Sequence, residues 1–88
     1  MRIKEGFVIC QVGGKTVAAA SGALSAEFNG MITLNETGKL LFELLQKDTS
    51  EQELVQALVL EYGIDEKTAA RDVRAFLAPL TKAGVLLS

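Results

Sequence analysis

Phe28-Asn29-Gly30-Met31-Ile32-Thr33-Leu34-Asn35-Glu36-Thr37-Gly38-Lys39-Leu40-Leu41-Phe42-Glu43-Leu44-Leu45 holds an abrupt change of period. Met31 to Leu34 reads as a short strand, and Asn35 then starts a helix expected from about Glu36 to Gln46. Asparagine is a favoured N-cap because its side-chain oxygen accepts a backbone N–H that the first helical turn leaves unpaired. Leu40, Leu41, Leu44 and Leu45 recur at helical spacing and give this helix one apolar side. Gly38 in the first turn costs about 1 kcal/mol against alanine. Glycine has no Cβ, so another backbone is expected to approach closely there.

Before this junction the chain reads as a hairpin. Residues 1–6 form a polar lead-in, expected to fray. Phe7-Val8-Ile9-Cys10-Gln11-Val12 is rich in residues that suit a half-buried pleated surface. Gly13-Gly14 supplies the positive φ angles of a two-residue turn, and Lys15 to Ser21 returns as the second strand. Pairing Val12 with Lys15 sets Cys10 opposite Val17 and Val8 opposite Ala19. That face is assigned to the core, which makes Cys10 a buried small side chain. Gly22 to Asn29 is a loop, and Gly30 bends the chain into the third strand.

After the junction the chain is helical. Ser50-Glu51-Gln52-Glu53 is a capping box for a second helix that runs to Tyr62, with Leu54, Ala57, Leu58 and Tyr62 on one face. Gly63 ends it as a left-handed cap. Asp65 caps a third helix, in which Ala69, Val73, Phe76, Leu77 and Leu80 share a side. Pro79 removes the bond to the Ala75 carbonyl and crowds that turn, so a kink, or a break near Ala78, is expected. Gly84 closes the helix, and Val85-Leu86-Leu87 tucks an apolar tail against the body. Phe42, Phe76 and Tyr62 read as core. The fold expected is α+β and winged-helix-like: an N-terminal three-stranded antiparallel sheet followed by a three-helix bundle, one domain over residues 1–88.

Composition narrows the function. Eighty-eight residues allow one domain with a modest core. The apolar fraction of 49% excludes a disordered tail. A formal charge of −2 argues against a protein built to grip nucleic-acid backbones. Histidine is absent and Cys10 is the single cysteine, which disfavours metal sites and removes the commonest general base. No nucleophile motif is present, so no enzyme and no cofactor is expected. Without a signal peptide or an apolar run of about 18 residues, the expected location is cytoplasmic, with no membrane partner.

With the elements placed, the sequence resembles the PqqD family, the peptide-recognition element of ribosomal peptide biosynthesis. The resemblance rests on Phe28-Asn29-Gly30, then Leu34-Asn35-Glu36-Thr37-Gly38 with an aromatic at Phe42 and Leu44-Leu45. It continues through Glu53-Leu54, Leu58, Glu61-Tyr62 and Asp65, then Asp72-Val73, Phe76-Leu77, Leu80 and Ala83-Gly84-Val85-Leu86. Two positions depart from it: Phe42 stands where the family often has tryptophan, and Pro79 interrupts the third helix. The resemblance implies a non-catalytic chaperone. Such a protein binds the leader segment of a precursor peptide as an added strand and delivers it to a modifying enzyme, often a radical S-adenosylmethionine protein. The chain is expected as a monomer or weak homodimer.

On that reading the acceptor edge is Gly30, Met31, Ile32, Thr33 and Leu34, a short uncharged strand with no proline to block it. The bland alternative is that this strand only completes the sheet. The opposing wall is assigned to one flank of the third helix: Lys67, Ala70, Arg71, Arg74, Leu77 and Thr81. Its cations would pair with acidic leader side chains, over a pocket floor of Ala70 and Leu77. The other flank, Thr68, Asp72 and Ala75, is the competing wall, and Asp72 is read as structural. A winged-helix DNA-binding module is the alternative function. Against it, the third helix mixes acids with bases and the chain is acidic overall, so no nucleic-acid partner is expected.

Overall fold

The structure, a computed structural model, describes residues 1–26 and 30–87. The expectations for Phe28 and Asn29 lie outside the described residues. Strands β1 (Arg2–Ile3), β2 (Phe7–Val12), β3 (Lys15–Ala20) and β4 (Met31–Leu34) precede helices α1 (Glu36–Leu44), α2 (Glu51–Tyr62) and α3 (Glu66–Lys82), and β5 (Leu86–Leu87) follows. The result is an α+β fold with a three-stranded antiparallel sheet in the order β2-β3-β4.

Gly13 and Gly14 both hold positive φ, 57° and 79°, and close β2 onto β3 with Val12 opposite Lys15, Cys10 opposite Val17 and Val8 opposite Ala19. The register is as the turn dictates, but the core face is the other one. Phe7, Ala18, Ile32 and Leu34 share the face turned to the helices. Ala18 is fully buried there, and Phe7 meets Phe42 edge-on with ring centroids 5.6 Å apart. Val8, Cys10 and Val12 are exposed. β2 is apolar at both parities, so a period of two cannot select a face. The aromatic partner for Phe7 and the small Ala18, which lets the helices approach, decide it. Val17 is still buried, on the outer face of the central strand between its register partners Cys10 and Thr33.

The lead-in is ordered rather than frayed. β1 pairs with β5, with Arg2 opposite Leu87 and Ile3 opposite Leu86. Ile3 is 2% exposed, and its amide donates to the Leu45 carbonyl at 2.9 Å. A single apolar residue in a two-residue strand is too short a signal for any periodicity to reveal.

Each helix is capped as its sequence requires. Asn35 Oδ1 accepts from the Gly38 amide at 2.8 Å, Ser50 Oγ from the Glu53 amide at 3.1 Å, and Asp65 Oδ2 from the Thr68 amide at 3.4 Å. Hydrogen bonding from the Thr68 side chain, then from backbone amides, holds the Asp65 carboxyl below the usual carboxylate range. α1 stops at Leu44, with Leu45 as its cap. Gly38 is approached by no second backbone: a Cβ there would lie 3.0 Å from Asn35 Oδ1 and 3.4 Å from Phe76 Cε1. In α2 the buried residues are Leu54, Val55 and Leu58, while Tyr62 is exposed. Phe42 is fully buried, and Phe76 is half-buried against the core. α3 continues through Pro79 without a break, because the proline is exposed and the helix beyond it is held by the bond from the Ala83 amide to the Pro79 carbonyl at 3.0 Å.

Candidate functional site

β4 pairs on one side only. Ala18 opposes Ile32 and Val17 opposes Thr33 along β3, and no described strand lies on its other side. An edge strand of this kind presents a row of unpaired N–H and C=O groups. Beyond that edge runs α3, and between them lies a groove of two joined compartments. One, of about 520 Å³, is walled by Thr33, Asn35, Thr37, Asp72, Ala75 and Phe76 above Gly38 and Leu41. The other, of about 260 Å³, is walled by Ile32, Thr33, Ala75, Phe76, Pro79, Leu80 and Ala83. Thr33, Ala75 and Phe76 belong to both and join them into one channel.

The local sequence explains this shape. Asn35 ends the strand and starts α1 within one residue, which sets the α1 N-terminus at the head of the groove. Buried Ala69, Val73, Leu77 and Leu80 fix the rotation of α3. That rotation turns Asp72, Ala75, Phe76, Pro79 and Ala83 toward β4. Ala75 leaves room beside the edge, and Phe76 forms the floor between the compartments.

The expected site residues divide. Of the strand residues, Ile32 and Thr33 line the groove, Met31 is 62% exposed, Gly30 is an exposed bend before the strand, and Leu34 is buried in the core. The expected helical flank lines neither compartment. Lys67, Arg71 and Arg74 point to solvent, Ala70 packs half-buried against the core, and Leu77 is buried within it. Arg74, Leu77 and Thr81 border a separate depression on another side of α3, next to Met1 and Leu86. Of the flank read as the competitor, Asp72 and Ala75 line the compartments and Thr68 does not. Asp72 and Ala75 were named with it, whereas Phe76, Pro79, Ala83, Asn35 and Thr37 were not assigned to any site. One signal was present: Asp72, Ala75 and Pro79 follow each other at helical spacing, and Ala75 and Pro79 carry no long side chain to fill a channel.

Among the described residues no group of three or more His, Cys, Asp or Glu is arranged to hold a metal ion, and no helix is long and apolar enough to cross a membrane. Residues 24–86 match the family model described as coenzyme PQQ synthesis protein D, PqqD. The chain belongs to the PqqD family. Two solved structures resemble this PqqD-family chain over nearly its whole length. TbiB1 in complex with the TbiA(beta) leader peptide is 26% identical, with a TM-score of 0.72 over 98% of this chain and 94% of that one. A lasso peptide synthetase B1 complexed with the leader peptide is 23% identical, with a TM-score of 0.71 over 99% of this chain and 96% of that one, a likeness of fold. No curated protein sequence matches the chain significantly.

Proposed function

We propose that this PqqD-family chain is a non-catalytic peptide chaperone. It binds the leader segment of a ribosomally made precursor peptide as an added strand along β4, in the groove against α3. It then presents that peptide to a modifying enzyme, such as a radical S-adenosylmethionine protein. The observation that carries this reading is the one-sided pairing of β4 beside a groove open along its length. The TbiB1–leader complex, at 26% identity over nearly the whole chain, supports it. Main-chain bonds to the edge would supply a sequence-tolerant part of the affinity, each about 0.5–1.5 kcal/mol net. Alternate side chains of the peptide entering the groove would supply the specific part. In this reading the wall is the Asp72, Ala75 and Pro79 flank, and the Lys67, Arg71 and Arg74 flank stays in solvent.

The test is an NMR titration of labelled protein with short peptides encoded beside its gene. Binding is expected to shift the amides of Met31–Leu34 and of residues 72–83. Ala75 is exposed, so Ala75→Trp should change stability by no more than about 0.5 kcal/mol. It should nonetheless fill the groove and weaken binding about tenfold or more. Removing Arg71 and Arg74 together should leave affinity within about threefold. Peptides that bind with shifts confined to the Arg71 and Arg74 side would sink the reading.

A further inference from the structure

The two compartments of the groove differ in chemistry. Around Pro79 the lining is Ile32, Ala75, Phe76, Leu80 and Ala83, all hydrocarbon in their side chains, with Thr33 shared at the junction. At the head of the groove they are Thr33, Asn35, Thr37 and Asp72. Part of that polar capacity is already committed. Thr37 Oγ1 donates to Asn35 Oδ1 at 3.0 Å, and the same Asn35 oxygen accepts from the Gly38 amide at 2.8 Å. Thr37 has thus used its proton, and only acceptor lone pairs remain on it. Asp72 is half-buried and is the single charged side chain among the described residues lining the groove. Among the described residues it makes no ion pair and no side-chain hydrogen bond. The nearby cations of α3, Lys67, Arg71 and Arg74, line neither compartment.

We infer that the peptide taken up along β4 presents a basic side chain, lysine or arginine, beside Asp72. The inference rests on the strand-addition reading and deepens it by naming a selection rule. An added strand would cover the head of the groove and strip water from a carboxylate that has no partner in the protein. Burying that charge unpaired is costly, whereas a guanidinium or ammonium over it restores both charge and hydrogen bonds. The rule acts mainly by penalty: an apolar or acidic residue at that position leaves Asp72 desolvated or repelled. From Asp72 to Pro79 is seven residues of helix, about 10 Å, the length of about three strand residues. Side chains entering the groove alternate, so the basic residue and a compact apolar residue for the Pro79 end stand two or four apart.

The competing role for Asp72 lies within the fold, as a charge facing the positive N-terminal end of α1. Selection separates the two. The full chain is panned against a random library of twelve-residue peptides, and the winners are mapped by amide shifts and measured by fluorescence anisotropy. The expected winners shift Met31–Leu34 and carry lysine or arginine two or four positions from an apolar residue. Changing that base to alanine in the peptide should weaken binding about threefold or more, less so at high salt. Asp72→Asn should erase the preference, and Asp72→Lys should turn it toward glutamate. Winners that shift Met31–Leu34 without favouring a base, or a preference that survives Asp72→Asn, would overturn this inference and leave strand addition standing. Winners that leave those amides unmoved would overturn both. The peptide-side substitution keeps the test decisive even if an Asp72 variant folds poorly.

Discussion

Asn35 works in two directions at once. Its oxygen caps α1 and also forms the near wall for any side chain at position 38, 3.0 Å from where a Cβ would stand, with Phe76 Cε1 0.4 Å further out at 3.4 Å. Gly38→Ala would gain about 1 kcal/mol of helix propensity. It would also push the cap oxygen, whose loss costs about 1 kcal/mol by itself. The two changes should therefore be coupled. In the native background Gly38→Ala is expected to be neutral or destabilising, whereas in an Asn35→Ala background it should stabilise. A urea-denaturation double-mutant cycle measures this, and additive effects would refute the account. The caps themselves were legible in the sequence because a cap and its amide are three residues apart. The Phe76 contact was not, because residues 38 and 76 meet only through tertiary packing.

At the scale of elements, the register of β2 on β3 could be read from Gly13-Gly14, but the face could not. An apolar strand on both parities leaves that choice to Phe42, on a distant helix. The same limit applied to α3. Its apolar period gave the buried side correctly at Ala69, Val73, Leu77 and Leu80, yet both flanks beside that side were open to β4 in the sequence, and only the packed rotation chooses Asp72 and Ala75. Pro79 was readable as an anomaly but not as a survivable one. It is exposed at the groove, so its ring adds apolar surface there while its missing N–H leaves the Ala75 carbonyl without its usual helical donor. Pro79→Ala is expected to raise stability by about 2 kcal/mol in chemical denaturation. An unchanged midpoint would mean that the carbonyl already has another donor.

Across the whole molecule, the junction at Asn35 separates a sheet from a helical layer, and that division was visible from hydrophobic period alone. The closure of the body was not, since Ile3 carries its signal in one residue and its partners Leu45 and Leu86 lie far along the chain. That closure has a consequence in time. β2 and β3 are joined by a two-residue turn and can pair as soon as they are made, whereas Arg2 and Leu87 come from opposite ends of the chain and must wait for everything between them. A contact that forms last, over two residues, is also the cheapest to open. The amides of Ile3 and Lys4, held by the Leu45 and Val85 carbonyls, are therefore expected to exchange with solvent deuterium well before those of β3. Equal protection of the two would show that the seam and the central strand open as one unit. If the seam does open first, the earliest excursion of this protein from its native state uncovers Ile3 and Val85, each 2% exposed when folded, while leaving β3, β4 and α3 assembled.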